Sequence, residues 1–148
     1  MEKYLQPIKD FIKKNKEDLD ETEFICLQYE VTDQMEADKI GFEAVESILK
    51  LMEENPLVEF GTPGPFTHFI ENFYTEKQQD YINLVKQSVA EKPTIHTIWL
   101  LHRIINGSEN EKATILIEIL KSISKNTEIQ QEIRDVANNF LEYQEKKD

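Results

Sequence analysis

Apolar residues recur at three- and four-residue intervals along most of this chain, which constrains it to amphipathic helices. A first stripe is Tyr4, Leu5, Ile8, Phe11 and Ile12; a second is Ile40, Ala44, Ile48, Leu51 and Met52, ended by Asn55-Pro56. Three more follow: Tyr81 to Val89, Ala113 to Ile123, and Ile129 to Leu141. Helix breakers are scarce and cluster at 56–65; the others stand singly at Pro7, Gly41, Pro93 and Gly107. Residues 24–31 fit two patterns. Ile25, Leu27, Tyr29 and Val31 alternate as a strand would, whereas Phe24, Leu27, Val31 and Met35 share a helix face. A lone strand has no partner for its backbone groups, so helix is the preferred reading.

Helix starts are also legible. Thr75-x-x-Gln78, Ser108-x-x-Glu111 and Thr127-x-x-Gln130 have the form of capping boxes, and Asn106-Gly107 is a stop signal. Proline is tolerated in a first helical turn because its missing N–H would have been unsatisfied there. Pro63 and Pro65 are therefore expected to open a short helix burying Phe66, Phe69, Ile70 and Phe73.

Pro65-Phe66-Thr67-His68-Phe69-Ile70 and Pro93-Thr94-Ile95-His96-Thr97-Ile98 both read P-x-x-H-x-I. Thr75 and Ser108 are 33 residues apart, Pro93 and Thr127 34. A period in the thirties holding two helices per repeat marks a helical-hairpin solenoid. The expectation is an all-α fold of seven or eight helices in one pair of layers. It forms a single domain over 1–148, with an acidic N-terminal cap at 1–36 and hairpins at 37–73, 75–106 and 108–145. Counting from Pro65, Pro93 and Glu128 as first helical residues sets His68, His96 and Gln131 level, and likewise Glu71, Trp99 and Arg134. With Arg103 seven residues beyond His96, these suggest a polar and aromatic ladder along an inner wall.

Net charge is −12, and its distribution is uneven. From Glu17 to Asp38 there are nine acids, including Asp18, Asp20, Glu21 and Glu23, and no lysine or arginine. Such a patch repels nucleic acid and anionic lipid and steers basic partners, besides keeping a surface solvated. The first residues are mixed in charge without an apolar core, and no run approaches the roughly 18 apolar residues of a membrane span. A cytoplasmic protein is expected. Cys26, set among Phe24, Ile25 and Leu27, reads as a small buried hydrophobe.

Chemistry-bearing motifs are missing from the sequence. His96 and His102 are six apart, not the four that places two ligands on one helix face. His68 and Glu71 at i, i+3 could touch one ligand, and a metal-dependent hydrolase built on them is the weakest reading. No phosphate loop, dinucleotide fingerprint or nucleophile elbow occurs. Trp99, amid branched aliphatics, reads as core before platform. No enzyme, no cofactor, no metal and no nucleic acid are expected.

The stretches PGPFTHFIENFY and KPTIHTIWLLHRIINGS resemble small, HEAT-like, all-helical bacterial proteins. Among these are immunity proteins of polymorphic-toxin and contact-dependent inhibition systems. The likeness covers residues 40–125; residues 1–36 have no counterpart in it. It implies neutralisation of a cognate toxin by tight binding without turnover, and the acidic region would suit a basic toxin domain such as a nuclease. Contacts would come from Glu17, Asp18, Asp20, Glu21, Glu23, His68, Glu71, His96, Trp99, Arg103 and Arg134. The alternative is a scaffold or adaptor repeat protein in an assembly unrelated to toxins.

Overall fold

A computed structural model describes residues 1–147, among which there are eight helices and no strand. They are α1 (Glu2–Lys14), α2 (Glu21–Ala37), α3 (Glu43–Glu54), α4 (Pro65–Glu71), α5 (Gln78–Glu91), α6 (Ile95–Asn106), α7 (Asn110–Lys125) and α8 (Gln131–Lys147). The chain divides into two compact units: Met1–Leu51 with Phe60–Tyr81, and Met52–Glu59 with everything from Ile82 onward. Each unit is an all-α, helical-repeat-like packing of sequential helices.

In the first unit α1 packs on α2, and α2 on α4. Residues 24–31 are helical: α2 turns Phe24, Gln28, Val31, Thr32 and Met35 inward, and Asp20 caps it by accepting from the Glu23 N–H at 3.0 Å. Amphipathic periodicity wins over alternation because a helix satisfies its own backbone. A run of aromatic rings joins the helices, with centroids 5.7 Å apart for Phe11–Phe24, 5.4 Å for Phe24–Phe60 and 6.1 Å for Phe60–Phe66. Cys26 is exposed, which corrects the expectation of a buried thiol. It lies on the side of α2 opposite the buried Phe24 and Gln28, between the half-buried Ile25 and Leu27.

The cluster of breakers proves to be a tight turn against that aromatic core. Gly61 has φ +97°, a region costly for any residue with a Cβ, and the Thr62-Pro63 bond is cis. Gly64 is the N-cap of α4, and a Cβ there would collide with the Phe60 carbonyl. Only Pro65 opens the helix; Pro63 lies in the turn before it. Phe66, Phe69 and Ile70 are buried as expected, while Phe73 is half-buried and lies edge-on to Phe69.

In the second unit α7 and α8 form a helical hairpin, and α6 packs on both. Leu116, Leu120 and Ile123 of α7 and Ile133 and Ala137 of α8 face the apolar side of α6, where Ile98, Leu100, Leu101, Ile104 and Ile105 are buried. Helices α6 and α8 run in register and in the same direction. His102 stacks on Phe140, and Asn106 meets Gln144, in both cases 38 residues along the chain. A separation in the thirties between neighbouring second helices is the repeat spacing of stacked hairpins.

The helix starts differ from the capping-box reading. Thr94, not Pro93, begins α6: its hydroxyl accepts from Thr97 N–H at 3.0 Å, and Thr97 reciprocates. Ser108 donates its hydroxyl to the Ile104 carbonyl at 2.6 Å, closing α6 rather than capping α7, whose N-cap is Glu109. Helix α5 starts at Gln78, and α8 starts at Gln131, beyond Thr127. Serine and threonine hydroxyls can also donate to carbonyls three or four residues back, as Ser108 does, so spacing alone does not assign the end they serve.

Candidate protein-interaction surface

The residues singled out by sequence fall into three groups. The first is the acidic segment. Glu17 and Asp18 lie in the turn before α2, Asp20 is its N-cap, and Glu21 and Glu23 stand exposed in its first turn. Carboxylates at a helix N-terminus are favoured by the helix dipole, so these acids also stabilise α2. Glu30, Asp33 and Glu36 continue along the exposed side. Cys26 and Tyr29 are exposed with them, Tyr29 at 50%. At the far end Asp38 accepts from the Tyr4 hydroxyl at 2.6 Å and from Gln34 at 3.1 Å. The Tyr4 hydrogen bond holds the Asp38 carboxyl below the usual range, with Gln34 adding to it. The surface is a helix-long anionic strip with one aromatic side chain in it.

The second group, His68 and Glu71, belongs to α4 in the first unit. His68 points to solvent and Glu71 is half-buried at the helix end.

The third lies in the second unit and corrects the expected ladder. His96 is only 1% exposed and sits in the core, so it presents nothing to a partner. Burial depresses its pKa from 6.5 to about 4, which leaves it neutral at pH 7. Trp99 is half-buried, with its ring 5.3 Å from that of His96 and the Arg103 guanidinium 4.9 Å above it. This cation–π pair is the part of the ladder that reaches the surface. Arg134 closes the α7–α8 turn, donating through Nε to the Ile129 carbonyl at 2.9 Å and through Nη2 to Gln131 at 2.8 Å. The expected starts at Pro93 and Glu128 imply an offset of 35 residues, whereas α6 and α8 pair at 38, as His102–Phe140 and Asn106–Gln144 do. By the 38-residue offset, Arg134 comes level with His96.

Sequence reasoning passed over two features. One is Gln28, fully buried on α2, whose amide oxygen and nitrogen find no hydrogen-bond partner among the described residues. The other is a cluster around His102 on α6. Phe140 stacks on its ring at 4.2 Å, Tyr143 stands perpendicular at 5.3 Å, and the Gln144 amide nitrogen lies 2.8 Å from its Nε2. No signal in the sequence links these positions until the register of α8 is known.

Among the described residues no three of His, Cys, Asp and Glu gather so as to hold a metal ion, and no helix is long and apolar enough to cross a membrane. No protein-family model, curated protein or solved structure matches the chain.

Proposed function

We propose that the chain is a non-catalytic protein-binding module of the immunity type, which neutralises a basic toxin domain by docking it on the acidic side of α2. The observation that carries this reading is the exposed carboxylate strip of α2, uninterrupted by any lysine or arginine from Glu17 to Asp38. A strip of one sign attracts a partner of the other, raises the association rate and disfavours acidic competitors. Tyr29 within it is the side chain type that anchors interfaces, large and amphipathic with few rotatable bonds. The helical-hairpin packing is compatible with the same assignment, which needs shape and charge rather than turnover.

The experiment is affinity capture from the native organism, identification of the bound protein by mass spectrometry, and stopped-flow association with the purified pair. A basic partner is expected, with an on-rate falling steeply as ionic strength rises and falling again in the E23K/E30K/D33K variant. A salt-independent on-rate, or an unaltered one in that variant, refutes docking on α2. A basic partner without toxic activity replaces the immunity role by a scaffold or adaptor role.

A further inference from the structure

Helix α8 is tied to α6 near its C-terminal end by a small, self-contained hydrogen-bond network. The Gln144 amide nitrogen reaches two acceptors, the His102 ring at 2.8 Å and the Asn106 side-chain oxygen at 2.8 Å. With the Gln144 amide in this orientation its N–H donates to His102 Nε2, which corresponds to the neutral imidazole tautomer with its proton on Nδ1. The ring is 8% exposed, stacked on Phe140 with 13° between the planes and perpendicular to Tyr143. One histidine therefore gathers Phe140, Tyr143 and Gln144 onto α6.

We propose that His102 is a pH-sensitive latch for the last turns of α8: neutral, it holds them against α6, and protonated, it releases them. A protonated imidazole carries N–H on both nitrogens and has nothing left with which to accept from Gln144. Gln144 and Asn106 can restore the hydrogen bonds by turning their amides, but the charge remains where it was, between aromatic rings and largely out of water. Phe140 and Tyr143 offer an imidazolium a modest cation–π attraction, which does not replace the water it has lost. Helix α8 also brings the Lys147 ammonium, and the buried side chains of α7 are the apolar Leu116, Leu120 and Ile123. On α6 itself Arg103 is the adjacent charge, on the exposed side. Burial is the larger cause that disfavours the imidazolium, Lys147 the smaller, and no carboxylate among the described residues offsets them. The strain is relieved when α8 lifts from Phe140 onward and water reaches the ring.

The test uses the whole chain. NMR titration of the imidazole should place its pKa below 6.5. Hydrogen exchange, corrected for intrinsic rates, should show residues 140–147 losing protection several-fold between pH 7.5 and 5.0, while α7 loses less. In His102→Gln, which keeps an acceptor without a titratable ring, that local response should vanish. His102→Phe keeps the stacking and gives the same reading if the glutamine variant folds poorly. A ring titrating at or above 6.5, or an acid response of α8 that persists in these variants, overturns the latch.

Discussion

Replacing Gln28 with methionine should make the protein more stable. The side chain is fully buried on the inner face of α2, in line with Phe24 and Thr32, and both atoms of its amide lack a partner among the described residues. An orphaned buried polar group costs about 1–3 kcal/mol in folded proteins. Methionine has nearly the same length and flexibility and carries no group that needs water, so little packing or entropy changes with it. Counting one orphaned group rather than two gives a gain of about 2 kcal/mol. With an unfolding entropy near 2 cal/mol/K per residue over 148 residues, the midpoint should rise by about 6 °C. Urea unfolding followed by circular dichroism, with calorimetry, measures both. Thr32→Val is the control, because the Thr32 hydroxyl already donates to the Tyr29 carbonyl at 3.3 Å and its loss should bring no comparable gain. A methionine variant less stable than the parent would refute the reasoning, because it would mean that the amide is hydrogen-bonded in solution.

Burial holds His96 near pKa 4 against 6.5, so the unfolded chain binds the extra proton between those values. Its contribution to stability is complete above pH 6.5, falls as the pH drops through that window, and amounts to a loss of about 2 kcal/mol at pH 5. Urea titrations should therefore show the parent losing about that much more than His96→Gln between pH 7.5 and 5.0; equal losses would contradict the burial. Gly64→Ala should destabilise by more than about 1 kcal/mol, since its Cβ meets the Phe60 carbonyl in a turn that packs against the core. A neutral Gly64→Ala in thermal unfolding would show that the turn relaxes.

The class of fold was legible because amphipathic period is a one-dimensional property. Ile8 and Ile12, Ile48 and Met52, Val85 and Val89, Leu116 and Leu120 all fall inside, where three- and four-residue spacing puts them. The breakers at 61–65 announced a turn for the same local reason, since few other residues tolerate its backbone. Capping chemistry was less decisive. Thr94 and Thr97 hold a reciprocal box that was hidden by the preference for Glu or Gln at its third position, while Ser108 serves the end of one helix instead of the start of the next.

For the candidate site, the acidic run from Glu17 to Asp38 is legible in the residue order, and its arrangement as an exposed strip follows once that segment is seen to be helix α2. The sorting of polar residues between surface and core is not legible in that way. His96 and His68 occupy the same slot in the P-x-x-H-x-I motif, yet α4 opens at the proline and α6 two residues beyond it. His68 faces solvent and His96 lies in the core, according to the side of each helix that its neighbours cover. Likewise, Gln144 finds His102 only when two helices 42 residues apart in that pairing are laid side by side. The amino-acid order alone settled that this chain forms amphipathic helices in hairpins and holds an acidic run from Glu17 to Asp38. Which histidines lose water, which amide is left unpaired and which rings stack were decided only in the folded packing, because each depends on the rotation of one helix against another, which distant contacts set.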